Sequence, residues 1–172
     1  EFRRVLFRSI FFYRFLIAYI GIWAISPKHL FADNLKDELW LVAGGVFGGS
    51  LYFFTENTAL GITQASNVAF IICTAPLLTT ILSLLFYKSE KATKGLIYGS
   101  LLALIGVGLV VFNGSVVLKL SPVGDLLTLL AALSWAFYSL VIKRMTGRYP
   151  TVFITRKIFF YGVLTILPAF LL

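Results

Sequence analysis

The chain has 172 residues, 59% of them hydrophobic and only 13% charged, with a mean hydropathy of +0.94 and a net charge of +8. That apolar excess lies well above the balance of a soluble domain and places the chain in a lipid bilayer. A single cysteine (Cys73) and a single histidine (His29) exclude a disulfide framework and a Cys/His metal centre. The basic residues fall in short clusters between apolar runs, with no Gly-rich phosphate loop or RNA-binding signature, so nucleic acid is not the expected partner.

At the start, Arg3-Arg4-Val5-Leu6-Phe7-Arg8-Ser9 reads as a translated sequencing adapter, which makes residues 1–9 a non-native scar without functional role. Six apolar segments follow, at 10–25, 39–62, 67–87, 95–112, 122–142 and 151–172. About 20 residues cross a bilayer as a helix, so the middle four are expected to span it. The first segment is short, and the last retains only residues 158–172 after Arg156 and Lys157. Both ends therefore read as cut within a helix.

The second segment carries Gly44, Gly45, Gly48 and Gly49, then Tyr52, Glu56 and Asn57. At regular helical spacing Gly45, Gly49, Tyr52 and Glu56 share one stripe. A carboxylate at membrane depth costs several kcal/mol, so Glu56 is expected to face protein or water. Either it couples protons or binds a substrate amine, or it is held structurally by Asn57, Thr58 or a neighbouring helix. Its distance of about six residues from the segment's outer end, roughly 9 Å, puts it off the midplane.

The polar connection 61–67 offers Ser66 or Asn67 as a cap for the third segment. Within that segment Pro76 follows Cys73-Thr74-Ala75 and predicts a kink that frees a carbonyl at membrane depth, either opening a cavity or pivot or packed as a static kink. Gly95, Gly99, Ala103 and Gly106 form a small-residue stripe on the fourth segment, the pattern of a helix-packing face. In the fifth, Thr128, Ala131, Trp135 and Tyr138 share a face that reads as a cavity wall or as packed core. Asp125, at that helix's start, complements the helix dipole.

Alternate loops hold ten Lys/Arg (Lys28, Lys36, Lys88, Lys91, Lys94, Lys143, Arg144, Arg148, Arg156 and Lys157), against Lys119 and Arg14 on the other side. The positive-inside rule puts the ten in the cytoplasm. Ile10-Phe11-Phe12-Tyr13 recurs as Ile158-Phe159-Phe160-Tyr161, and the two copies cross in opposite directions by that rule. Such recurrence is what an inverted repeat with an odd number of helices predicts.

Taken in order, Glu56-Asn57-Thr58-Ala59-Leu60-Gly61, Ala65-Ser66-Asn67-Val68-Ala69, Ala75-Pro76-Leu77-Leu78, the loop with Glu90, Ile105-Gly106-Val107, Gly124-Asp125-Leu126-Leu127 and Ser134-Trp135-Ala136 resemble the EamA-type branch of the drug/metabolite transporter superfamily. The resemblance implies an all-α, polytopic membrane helix bundle of two inverted five-helix repeats. Six of its ten helices are present: 10–112 holds the remainder of the first repeat, and 122–172 the start of the second. It further implies a non-enzymatic exporter of metabolites, amino acids or drug-like compounds in a bacterial inner membrane. Its partners would be lipid, a small-molecule substrate, protons and a second copy in a homodimer; no cofactor or metal is expected. Glu56, Asn57, Tyr52, Thr74, Trp135 and Tyr138 are the candidates for a substrate or proton pathway. Pro76 is the kink, and Gly45, Gly49, Gly95, Gly99 and Gly106 are the packing positions. The alternative is a non-transporting membrane protein, such as a channel or assembly subunit, whose helices only pack.

Overall fold

The computed structural model describes residues 2–25, 31–87, 93–112 and 121–171, with side chains for 12–25, 31–87, 93–109 and 121–168. Lys28, His29, Lys88, Glu90, Lys91 and Lys119 lie outside the described residues. The described chain is an all-α membrane helix bundle without strands. Its elements are α1 (Phe2–Ile25), α2 (Leu35–Gly45), a π-helical segment (Val46–Leu51), α3 (Tyr52–Leu60), α4 (Ala65–Ile72), α5 (Ala75–Phe86), α6 (Lys94–Phe112), α7 (Pro122–Thr146) and α8 (Thr151–Leu171). The second apolar segment is thus α2, the π segment and α3 in one continuous run, and the third is α4 with α5. Ala65–Phe86, Pro122–Thr146 and Thr151–Pro168 are long and apolar enough to cross a membrane; Phe12–Ile25 and Lys94–Leu109 are shorter apolar helices.

Local chemistry explains most of the boundaries. Asn34, in extended conformation, precedes α2, and Asp37 and Glu38 occupy its first turn, where acids complement the dipole. The cap expected from Ser66 or Asn67 falls instead on Gln64, whose side chain makes no capping bond; its carbonyl accepts from the backbone N–H groups of Asn67 and Val68. Pro76, which has no N–H to donate, lies in the first turn of α5, and the run breaks at Cys73-Thr74. There the Thr74 hydroxyl donates to the Ile71 carbonyl at 2.6 Å. The expected kink is a helix break. Pro122 opens α7, the Asp125 carboxylate accepts from Ser121 N–H at 3.1 Å, and Lys143 and Arg144 close the helix at its negative end.

Two compact units divide the chain: Glu1–Phe54 with Phe137–Leu172, and Thr55–Ala136. They interleave the two expected repeats, since α8 packs on α1 and α2. Leu41, Val141, Met145, Phe153, Ile154 and Ile158 form one core of the first unit. Phe15 and Ile166, flanked by Phe12, Phe53, Phe159 and Val163, form another. One Ile-Phe-Phe-Tyr copy lies on α1 and the other on α8, and Phe15 meets Phe159 edge-on at 4.8 Å.

In the second unit α6 packs on α4 and α5. On the expected packing stripe of α6, a Cβ built at Gly95, Gly99 or Gly106 meets nothing within 4 Å among the described residues, whereas one at Gly108 would lie 3.1 Å from the Phe70 ring. An apolar helix has no preferred packing side in hydrocarbon, so small residues alone did not identify which face is covered.

Candidate functional site

The described site is built where α2 and the π segment lie against α8. Glycine makes the approach possible. A Cβ at Gly45 would fall 2.5 Å from Tyr161 Cβ and 3.0 Å from the Gly162 nitrogen. At Gly49 it would lie 3.1 Å from Gly162 Cα, and at Gly48 it would overlap the Tyr138 ring at 2.3 Å. The Ser50 hydroxyl donates to the Gly162 carbonyl at 3.3 Å and bonds the Thr165 hydroxyl, so a polar pair joins the helices beside the glycines. Thr165 also donates to the Tyr161 carbonyl at 2.7 Å.

The π segment changes the register of everything after it. A π turn accommodates an extra residue relative to an α turn, so the face that follows rotates by about one residue. Tyr52 is buried, and Thr55 and Ala59 continue its stripe at 2% and 0% exposure. Glu56 and Asn57 stand beside that stripe and are half-buried. Of the stripe expected through Gly45, Gly49, Tyr52 and Glu56, the first three are buried, while Glu56 is half-buried at the edge of the side that Thr55 and Ala59 occupy. Nothing in the glycine spacing announces the insertion.

The basic end of this unit carries a polar cluster that the apolar pattern concealed. Asp37 is buried at 2% exposure and accepts two bonds from Arg148 Nη1, at 2.9 and 3.1 Å. It accepts a third from the Tyr149 hydroxyl at 3.1 Å, while that hydroxyl accepts from Asp33 N–H at 3.1 Å. Beside it, Glu38 Oε1 accepts from Lys157 Nζ and from the Tyr161 hydroxyl, and Oε2 accepts from Ala32 N–H at 2.8 Å. Lys157, with only 5% of its side chain exposed, also sits 4.7 Å over the Phe31 ring.

Burial alone would raise both carboxyl pKa values. For Asp37 the hydrogen bonds from Arg148 and Tyr149, with the guanidinium charge, outweigh burial and hold the pKa below the usual carboxylate range. For Glu38 the Lys157, Tyr161 and Ala32 bonds do the same. Burial, and then its bond to Asp37, raises the pKa of Tyr149. These are fixed charges, tying the start of α2 to the α7–α8 connection and to α8. The sequence signal was present but slight: two acids in the first turn of a helix, on a side of the membrane otherwise dominated by Lys and Arg.

The remaining candidates are distributed between the units. Tyr52 and Tyr138 belong to the first, with Tyr138 covering Gly48. Glu56, Asn57, Thr74 and Trp135 belong to the second. On the expected face of α7, Thr128 and Ala131 are fully buried and Trp135 is 40% exposed, and the buried side also takes in Ala132 and Ala136. Small residues admit a neighbouring backbone more closely than an indole does. Thr128 bonds its own helix, donating to the Gly124 carbonyl at 2.7 Å. Among the described residues no three metal-ligating side chains converge.

Compared with known proteins, residues 3–112 match the EamA-like transporter family. An uncharacterized transporter of Archaeoglobus fulgidus is 27% identical over 161 residues, covering 91% of this chain and 55% of that protein. The uncharacterized transporter YdfC of Bacillus subtilis is 33% identical over 117 residues, covering 67% of this chain and 37% of that protein. A third, YyaM of Bacillus subtilis, also an uncharacterized transporter, is 36% identical over 104 residues, covering 58% and 32%. The chain thus spans about half or less of the length of the curated relatives it matches. No solved structure matches it.

Proposed function

Because this chain belongs to the EamA-like transporter family, we propose that it forms part of a secondary transporter that exports small metabolites, amino acids or drug-like compounds by alternating access. The proposed setting is a bacterial inner membrane with the basic loops in the cytoplasm, and the proposed coupling is proton exchange, in a protein that pairs as a homodimer. The observation that carries the reading is the pairing of the π-bearing helix with α8. Irregular backbone at membrane depth persists only when buried in protein or lining a water-filled cavity. Here it is combined with a glycine contact tight enough to act as a fulcrum and with a charge cluster at one end. Rocking about such a contact would open one side while the other stays tied.

Glu56 is the proposed proton-linked group, because a half-buried carboxylate on a membrane helix is costly and is kept facing protein or a water-filled cavity. Tyr52, Asn57, Thr74, Trp135 and Tyr138 are proposed as pathway residues alongside it. The test is Glu56→Gln in the complete gene product, reconstituted in liposomes with an imposed pH gradient. Proton-driven efflux of a substrate panel is expected to fall at least tenfold while membrane insertion is unchanged. Unaltered efflux with an unaltered pH dependence removes Glu56 from the mechanism.

A further inference from the structure

Alternating access requires each end of the α2–α8 seam to open in turn, so the ties at its basic end have to be breakable. They are built that way. Arg148 keeps 54% of its side chain exposed while its partner Asp37 keeps 3%, so water can take over the guanidinium's bonds as soon as the two move apart. The inner tie is drier, with 5% of the Lys157 side chain and 15% of the Glu38 side chain exposed. Lys157 also lines a small cavity, with Tyr19, Phe31, Arg156 and Phe160, of about 130 Å³, room for several waters. A Lys157 ammonium released by Glu38 therefore has space to hydrate, where an apolar wall would strand it.

Tyr161 joins this inner tie to the glycine contact. Its hydroxyl donates to Glu38 Oε1 and lies 3.4 Å from Lys157 Nζ. Its Cβ stands 2.5 Å from where a Cβ on Gly45 would fall, and the carbonyl of the next residue, Gly162, accepts from Ser50. One side chain thus runs from the ion pair to the closest approach of the two helices. Glu38 and Gly45 lie about two turns apart on α2, and Lys157 and Tyr161 about one turn apart on α8, so each pair shares a side of its helix. Drawing the start of α2 away from α8 must break the Tyr161–Glu38 bond or pull the Tyr161 ring from its place beside Gly45. Val141 of α7 marks the inside of this closure: it is 3% exposed, and its Cγ1 lies 3.2 Å from a Cβ built at Gly44.

We propose that Glu38, Lys157 and Tyr161 form a latch that closes the basic end of the α2–α8 seam, and that Tyr161 is the positioning residue that carries the state of the latch to the glycine contact. Asp37, Arg148 and Tyr149 are the outer guard that keeps water from it. On opening, Asp37 and Arg148 hydrate first, Glu38 then leaves Lys157 to the cavity, and the start of α2 swings about Gly45 and Gly49. The place of the latch in transport rests on the alternating-access reading; the coupling of the latch to the seam does not.

The test is thiol labelling of Val141→Cys in the complete gene product, reconstituted in liposomes with its native cysteines, Cys73 among them, replaced by serine. A membrane-impermeant methanethiosulfonate is supplied at the basic end, and its rate of reaction tracks the population of the open form. Tyr161→Phe keeps the Cβ against Gly45 and removes only the hydroxyl; losing a hydrogen bond to a charged group is expected to raise labelling about tenfold. Glu38→Gln is expected to do the same. Glu38→Lys combined with Lys157→Glu should restore part of the protection that either change loses alone. Lys36→Gln, which removes an exposed base from the same end of α2, should leave labelling unchanged. Unchanged labelling in Tyr161→Phe or in Glu38→Gln overturns the proposal, as does a reversed pair no better protected than its single changes. An equal rise in Lys36→Gln would make the effect one of net charge and also overturn it. Labelling involves no substrate, so absence of efflux from the unaltered protein would sink the transport reading and leave the latch standing.

Discussion

Gly45→Ala is the sharpest test of the helix pair. The new methyl carbon would stand 2.5 Å from Tyr161 Cβ, 3.0 Å from the Gly162 nitrogen and 3.1 Å from the Tyr161 carbonyl carbon. Comfortable carbon–carbon contact is about 3.5–4.0 Å, so the helices must part by roughly 1 Å. None of the three obstacles is the far end of a flexible side chain, so rotamer change offers no relief. Parting would also stretch the Ser50–Gly162 bond from 3.3 Å and loosen the Gly49–Gly162 contact. Overpacking typically costs 1–3 kcal/mol, and a gap of up to 1 Å forfeits about a quarter to a half of each dispersion contact along the seam. The expected loss is about 3 kcal/mol, roughly a 150-fold shift in the folding equilibrium at about 1.4 kcal/mol per tenfold. Reversible unfolding in mixed micelles, followed by circular dichroism, measures it. Gly95→Ala is the internal control: among the described residues nothing lies within 4 Å of a Cβ built there, and the helix should gain up to about 1 kcal/mol from the better helix former. If Gly45→Ala unfolds with the wild type, the close approach is not a constraint and the reasoning fails.

Lys157→Met removes the cation from the Glu38 pair and leaves a largely buried carboxylate; the expected cost is about 3 kcal/mol. Adding Glu38→Gln should recover most of it in a double-mutant cycle, and strict additivity would show that the two do not interact. Because the folded pKa values of Asp37 and Glu38 lie below their ordinary values of 3.8 and 4.5, their stabilisation is complete above about pH 5 and declines as pH falls through and below that range. Asp37→Asn with Glu38→Gln should flatten this acid limb of a melting-temperature profile, and an unchanged limb would assign acid sensitivity to other groups. Asp125→Ala loses the Ser121 bond at the start of α7 and should cost about 1 kcal/mol, read by the same unfolding assay.

Composition and hydropathy alone determined the class of this protein. Six apolar segments, their lengths and the break at Pro76 follow from residue chemistry that acts within a few positions: burial in lipid, a missing N–H, acids at a helix start. The family resemblance was legible for a similar reason, since it rests on short motifs in a fixed order. Tertiary structure decided which faces those helices use. Gly45 and Gly49 lie against α8 while Gly95, Gly99 and Gly106 meet nothing within 4 Å among the described residues, although all five occupy the same kind of small-residue pattern. Lipid is as apolar as the helices, so hydrophobicity cannot tell a covered face from a lipid-facing one. Nor could periodicity foresee the π segment at Val46–Leu51, or that Thr55 is buried while Glu56 beside it is half-buried. The Asp37–Arg148 and Glu38–Lys157 pairs join residues more than a hundred positions apart, and only the fold brings them within reach of one another.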